Sequence, residues 1–151
     1  MALLPRAWRD TARVMSQENV EVVRNLAEAF QLRDHERAFD FYDPEIEWNA
    51  SHMPTFGGVE GVYRGHEGVR AYWREWLSAW SDLYFEIEDV RGAGDDVVLL
   101  VRNQRQWGRY SGIETEVGPY GMVFTFRSGK VVRCCFHPDQ RSALEAAGLS
   151  E

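Results

Sequence analysis

Arg102 is the residue with the most chemical promise in the chain. It follows the apolar run Val97–Val101 and stands two positions before Gln104 on what reads as one strand, so the two share a face. An arginine turned inward keeps its charge and needs a partner, because an unpaired buried charge is costly. If the Gly108–Gly112 turn is symmetric, Gln104 lies opposite Glu116 and Arg102 is one diagonal step from that carboxylate. Two outcomes stay open: an internal Arg102–Glu116 pair that shapes a wall, or an arginine that holds an anionic or carbonyl-bearing ligand. His52, in a Gly- and Pro-rich loop, is a candidate acid or base near neutral pH, with a solvated loop histidine as the plainer reading. His66 and His137 read as structural or exposed, and Glu47 as solvated. Trp48, Tyr63, Trp73, Trp76, Tyr120, Met122 and Phe136 are candidate walls of an apolar pocket, each equally suited to plain core.

These side chains need elements to position them. The stretch Tyr120–Phe136 reads as two strands around a turn, with Tyr120, Met122, Phe124 and Phe126 alternating in period two. A three-residue loop, Arg127-Ser128-Gly129, would set Phe124 against Val132 and Met122 against Cys134, so that the even-numbered residues share one apolar face. Gly65–Trp80 is the strongest helix: Val69, Tyr72, Trp73, Trp76, Leu77 and Trp80 recur at helical spacing, which puts three tryptophans on one face. Ser16 caps a helix over Gln17–Leu32, and Asp34 caps a shorter one ended by Asp43-Pro44. Glu45–Ala50, Leu83–Val90, Asp96–Trp107 and Ile113–Phe126 read as strands, with Leu83, Phe85 and Ile87 inward. Val59–Arg64 is a short edge strand, Gln140–Ala147 a last helix stopped by Gly148, and Ser51–Gly61 a loop long enough to act as a lid or mouth.

Length and composition bound the rest. The 151 residues fit one domain, with residues 1–15 as an N-terminal extension or short amphipathic helix and 16–151 as the domain proper. The net charge of −7 and the lack of a basic stripe argue against nucleic acid. No apolar run reaches the length of a membrane span and no secretory signal is evident. Cys134 and Cys135 are adjacent and poorly placed to bridge each other, which suits two reduced thiols in the cytoplasm. No zinc-ligand spacing is present, and no cofactor is expected.

Helices gathered on one side of a mostly antiparallel sheet make an α+β fold. The element order, together with SQENVEVVRNLAEAFQLRD, DPEIEW, YRGHEGVRAYWREWLSAW, VFTFRSGKVVR and ALEAAGL, resembles the nuclear transport factor 2-like superfamily, and within it the SnoaL-like, ketosteroid isomerase-like branch. The resemblance spans Ser16–Leu149. It implies a cone: a curved, mostly antiparallel sheet with helices packed on its concave face. It also implies places for catalytic groups. The base of ketosteroid isomerases falls at Trp48, their oxyanion-hole tyrosine near Leu26 and their oxyanion-hole aspartic acid at Met122. The Arg/Asp/Asp set of limonene epoxide hydrolases falls near Arg102, Gln104 and Phe136. Of these six positions only the arginine is retained.

Two functions follow as expectations. The first is a small-molecule-binding domain with an aromatic-lined pocket, open to isomerase, cyclase or hydrolase chemistry on a hydrophobic or aromatic compound. The second is a non-catalytic binding or scaffold domain whose cone is filled by its own side chains. A cavity of roughly 300 Å³ or more favours the first, a packed interior the second. Trp107, of opposite parity to Arg102, would leave an indole on the outer sheet face, so a homodimer through that face is expected.

Overall fold

The computed structural model describes residues 6–52 and 61–150, with side chains from Val14 onward. The elements run α1 (Arg6–Gln31), α2 (His35–Ala38), a 3₁₀ turn (Phe39–Phe41), β1 (Tyr42–Asn49), β2 (Val62–Arg64), α3 (Gly65–Ala79), β3 (Trp80–Ala93), β4 (Asp96–Gly108), β5 (Glu114–Val117), β6 (Tyr120–Arg127), β7 (Lys130–His137) and α4 (Gln140–Ala146). One sheet holds all seven strands in the order β2-β1-β7-β6-β4-β3, with β5 also paired to β4. Every pairing is antiparallel except β1 with β7. This is the α+β cone, a curled sheet with helices laid across it.

α1 does not start at Ser16. No Gly or Pro interrupts Arg6–Gln31, so the helix runs through the boundary expected between residues 15 and 16. It ends in a left-handed Arg33 (φ 58°), where the Asp34 amide donates to Ala29 O and the Arg33 amide to Phe30 O. Its last side chain docks it to the sheet: Gln31 Nε2 donates to Leu83 O at 3.0 Å, and Gln31 Oε1 accepts from Phe85 N at 2.9 Å. One amide thus stands in for a neighbouring strand along the open edge of β3.

α3 lays Val69, Tyr72, Trp73 and Trp76 on the sheet. Burying an aromatic of this size is worth about 2–3 kcal/mol, enough to fix the helix. The inner core gathers these with Leu26, Phe30, Ile46, Trp48, Leu99, Met122, Phe124 and Phe136. α4 lies elsewhere. Val97, Leu99 and Val101 of β4 face the main core, whereas Val98 and Leu100 join Val123, Ala143 and Leu144 in a separate cluster on the opposite face. α1 and α3 therefore cover one face and α4 the other, so not all helices share the concave side. Gly121 permits this approach, since a Cβ there would meet Ala143 Cβ at 2.5 Å.

Two registers depart from the sequence-based expectation. Ser128 (φ 52°) and Gly129 (φ 77°) are both left-handed and form a two-residue turn, so Arg127 pairs with Lys130 and Phe126 with Val131. The register then shifts between Thr125 and Phe126, which restores even-to-even pairing: Phe124 faces Cys134 and Met122 faces Phe136. The even-numbered residues of β6 do point into the core, but Val131 joins them. In the β4–β5 turn, Gly108 N donates to Ile113 O, so Arg105 pairs with Glu116 and Gln104 with Val117.

Candidate functional site

α3 and the inner sheet face enclose a cavity of about 30 Å³, lined by Phe30, Tyr72, Trp73, Trp76, Leu83, Phe85, Gln104, Tyr120, Met122 and Phe136. Six of the ten residues expected at a pocket meet here: Trp73, Trp76, Gln104, Tyr120, Met122 and Phe136. They arrive from three directions, with the tryptophans on α3, Gln104 on β4, and the other three on the β6–β7 pair. That volume holds about one water-sized group. It is far below the size that favours a ready-made pocket and is close to a packed interior.

The polar content of the cavity is a chain of neutral groups. Tyr120 O–H donates to Gln104 Oε1 at 2.5 Å, and Gln104 Nε2 donates to Gln106 Oε1 at 2.8 Å. Gln104 and Gln106 are buried, and Gln106 Nε2 has no acceptor among the described residues. A buried donor without a partner is expensive, so this chain ends in an unmet capacity to donate. Burial pushes the Tyr72 and Tyr120 phenols well up, so both are protonated at neutral pH. None of the lining side chains is a carboxylate, histidine, lysine or arginine.

The remaining candidates lie elsewhere. Arg102 is exposed and pairs on the outer face with Glu88 (3.3 Å) and Glu86 (3.8 Å). The cause is a bulge: Glu86 pairs with Asn103 and Ile87 with Val101, leaving Arg102 as the extra residue. Val101 and Gln104 therefore both face inward, and the shared parity of Arg102 and Gln104 is lost. Glu116 is also exposed and opposite Arg105, so no internal Arg102–Glu116 pair forms. Gly118, at φ 123°, would bring a Cβ to 3.4 Å from Arg102 O; it lies where β4 changes partner from β6 to β5.

Trp48 is fully buried behind the cavity, packed against Tyr72, Trp73 and Phe136 with ring centroids 5.5–6.2 Å apart. Tyr63 sits on the edge strand β2 and donates to Glu75 at 2.8 Å, with its ring against Tyr72 rather than the cavity. His52 is exposed in the turn after β1, and residues 53–60 of the expected lid or mouth lie outside the described residues. Leu26, at the oxyanion-tyrosine position, is buried core. Sequence reasoning missed Phe30, Tyr72, Leu83 and Phe85 as lining residues, although the alternation on β3 turns Leu83 and Phe85 inward. Tyr72 carried a signal, being on the same helical face as Trp73 and Trp76, whereas Phe30 needed the α1–α3 packing to be known.

Among the described residues no group of three or more His, Cys, Asp or Glu could hold a metal ion, and no helix is long and apolar enough to cross a membrane. Cys134 and Cys135 are both free.

Known proteins of similar build share this architecture. An NTF2-like protein of unknown function from Burkholderia pseudomallei superposes with a TM-score of 0.71 at 22% identity, covering 85% of this chain and 95% of its own. TerC, crystallised with polyporic acid, gives 0.70 at 20% identity over 87% and 98%. A ketosteroid isomerase-like protein from Catenulispora acidiphila, in complex with trimethylamine, gives 0.65 at 14% identity over 86% and 94%. At such identities the likeness is one of fold. Among curated proteins no relative matches. The SnoaL-like domain family matches residues 23–134, most of the chain and nearly all of the cone, so the chain belongs to the SnoaL-like domain family.

Proposed function

We propose that the domain binds a small, neutral, largely aromatic molecule in the cavity under α3, and that it acts by binding rather than by acid–base chemistry. One observation carries this reading: aromatic walls from α1 and α3 close around a buried Gln104–Tyr120 pair with no group among the lining residues that titrates near neutrality. Flat rings supply stacking area, and the amide and phenol supply direction. A general base needs a pKa near the working pH, and the phenols here are pushed the other way. Two neighbours in fold that carry small organic molecules, polyporic acid in one and trimethylamine in the other, support a pocket role.

The cavity volume of about 30 Å³ favours a second reading, a scaffold domain whose cone is filled by its own side chains. Native mass spectrometry of the gently purified protein separates the two. A small retained mass, displaced when Trp76→Ala alters the wall, supports binding. A chain that flies clean and takes up no aromatic compound on incubation supports the scaffold.

In either case the outer face supports a homodimer. α4 covers the β4–β6 part of that face, leaving β3, β4 and β5 with Tyr84, Arg105 and Trp107. Tyr84 is 43% exposed, and the Arg105 guanidinium lies 4.8 Å from its ring centroid. Trp107→Glu should give a monomer by light scattering; an unchanged mass would place any interface elsewhere. The two free cysteines suit a reducing, cytoplasmic setting.

A further inference from the structure

The cavity is too small for the ligand that its walls suit, and Phe85 shows how it can enlarge. Nine of the ten lining residues are buried; Phe85 alone is half-exposed. Phe85 also lines a second space, an open groove of about 270 Å³ between α1 and β3, bounded by Arg24, Ala27, Glu28, Gln31, Ile87 and Val90. Its ring is thus the shared wall between an inner cavity and an outer groove.

We infer that the small molecule enters through this groove and rests across it, with Phe85 as the movable partition, its neutral carbonyl head inside and its flat apolar body over Ala27, Ile87 and Val90. This rests on the binding reading given above.

Three observations support the route. The other aromatic walls are pinned by one another: Tyr72 against Phe136 at 6.0 Å, Trp73 against Trp76 at 6.1 Å and Phe30 against Trp73 at 5.4 Å. Moving any of these disturbs the core, whereas Phe85 has open groove on one side. The Phe85 backbone is held, because its amide donates to Gln31 Oε1 and the neighbouring Leu83 carbonyl accepts from Gln31 Nε2. Opening therefore needs only a side-chain rotation of a half-buried ring on a fixed strand. With the partition turned aside, the joined space reaches roughly the 300 Å³ at which small-molecule sites begin.

The head group follows from the inner wall. Gln104 and Tyr120 are neutral, and Gln104 keeps a hydrogen to give: its Oε1 accepts from Tyr120 and one Nε2 hydrogen goes to Gln106 Oε1, which leaves the second for a hydrogen-bond acceptor without charge. The groove rim is polar at Arg24, Glu28 and Gln31, which suits a body that leaves one edge in water.

The test uses 2-acetylnaphthalene, a neutral aromatic ketone, as probe. Affinity is read by calorimetry, and association rate by stopped-flow quenching of the Trp73 and Trp76 fluorescence. Phe85→Ala removes the partition and should raise the association rate about tenfold. Ile87→Tyr fills the groove without touching the inner cavity and should weaken binding about tenfold. If the probe binds the natural protein but neither variant changes rate or affinity, ligand enters elsewhere and this inference is overturned, with the binding reading intact. If the probe binds neither the natural protein nor Phe85→Ala, the binding reading fails and the inference falls with it.

Discussion

Gly121→Ala tests the placement of α4 on the outer sheet face. The added methyl carbon would sit 2.5 Å from Ala143 Cβ. Carbon atoms in good contact are about 3.5–4.0 Å apart, so the two methyls overlap by at least about 1 Å. Ala143 is on the helix and Gly121 on a central strand, so neither has a side-chain rotation with which to yield. α4 must lift, which loosens Leu144 from Val98, Leu100 and Val123. Overpacking of this kind costs about 1–3 kcal/mol. At about 2–4 °C per kcal/mol for a chain of this size, Tm should fall by roughly 2–12 °C in differential scanning calorimetry. The cause is isolated by a double-mutant cycle. Ala143→Gly alone should cost about 1 kcal/mol from helix propensity. Combined with Gly121→Ala it restores the lost space, so the pair should be more stable than the sum of the singles by about 1 kcal/mol or more. Strictly additive effects, or a neutral Gly121→Ala, would refute the close approach and with it the covered outer face.

Arg102→Ala should leave ligand binding unchanged and shift Tm by no more than about 2–3 °C, since its pairs with Glu86 and Glu88 are solvent-exposed and such pairs are worth about 0–1 kcal/mol. A clear loss of binding by calorimetry would return that arginine to the site. Gln31→Ala should cost about 1–3 kcal/mol, because it strands a donor and an acceptor on the edge of β3. Hydrogen exchange at the Phe85 amide should accelerate while the Leu99 amide stays protected. His35 is stacked on Trp73 at 4.1 Å, and burial lowers its pKa from 6.5 to about 4. The unfolded chain then binds the extra proton first, so stability is full above about pH 6.5 and falls as pH drops toward about 4. His35→Phe should flatten that part of the urea-midpoint profile; an unchanged slope would assign the titration to another group.

Much of this molecule was legible in its sequence because the signals were redundant. Trp73 and Trp76 declare themselves through helical spacing on α3, and Tyr120, Met122 and Phe136 through alternation on β6 and β7, so half of the cavity wall follows from periodicity alone. The site's polar set was harder. Periodicity carries no mark of an inserted residue, and Arg102 and Asn103 are both polar, so nothing in VVLLVRNQRQW shows where β4 changes face. The choice between a three-residue and a two-residue hairpin turned on Ser128 adopting a left-handed backbone, which its residue type does not announce. Ser16 is a good cap by type and so suggests a short α1, although it lies within the helix and close to Gly92 of β3.

The bulge at Arg102 gives β4 an unusual mutational grammar. N-terminal to it, odd-numbered residues face the core; C-terminal to it, even-numbered ones do. Deleting the single codon for Arg102 would straighten the strand without turning it over: Val101 and Gln104 would face inward on either side of Asn103, and Gln106 would keep its place. One in-frame deletion would thereby remove the outer pairs with Glu86 and Glu88 and leave the amide lining intact. Loss of the bulge with every residue kept would do the reverse, turning Gln104 and Gln106 out and Asn103, Arg105 and Trp107 in, so the one extra residue is what holds the amides in the wall.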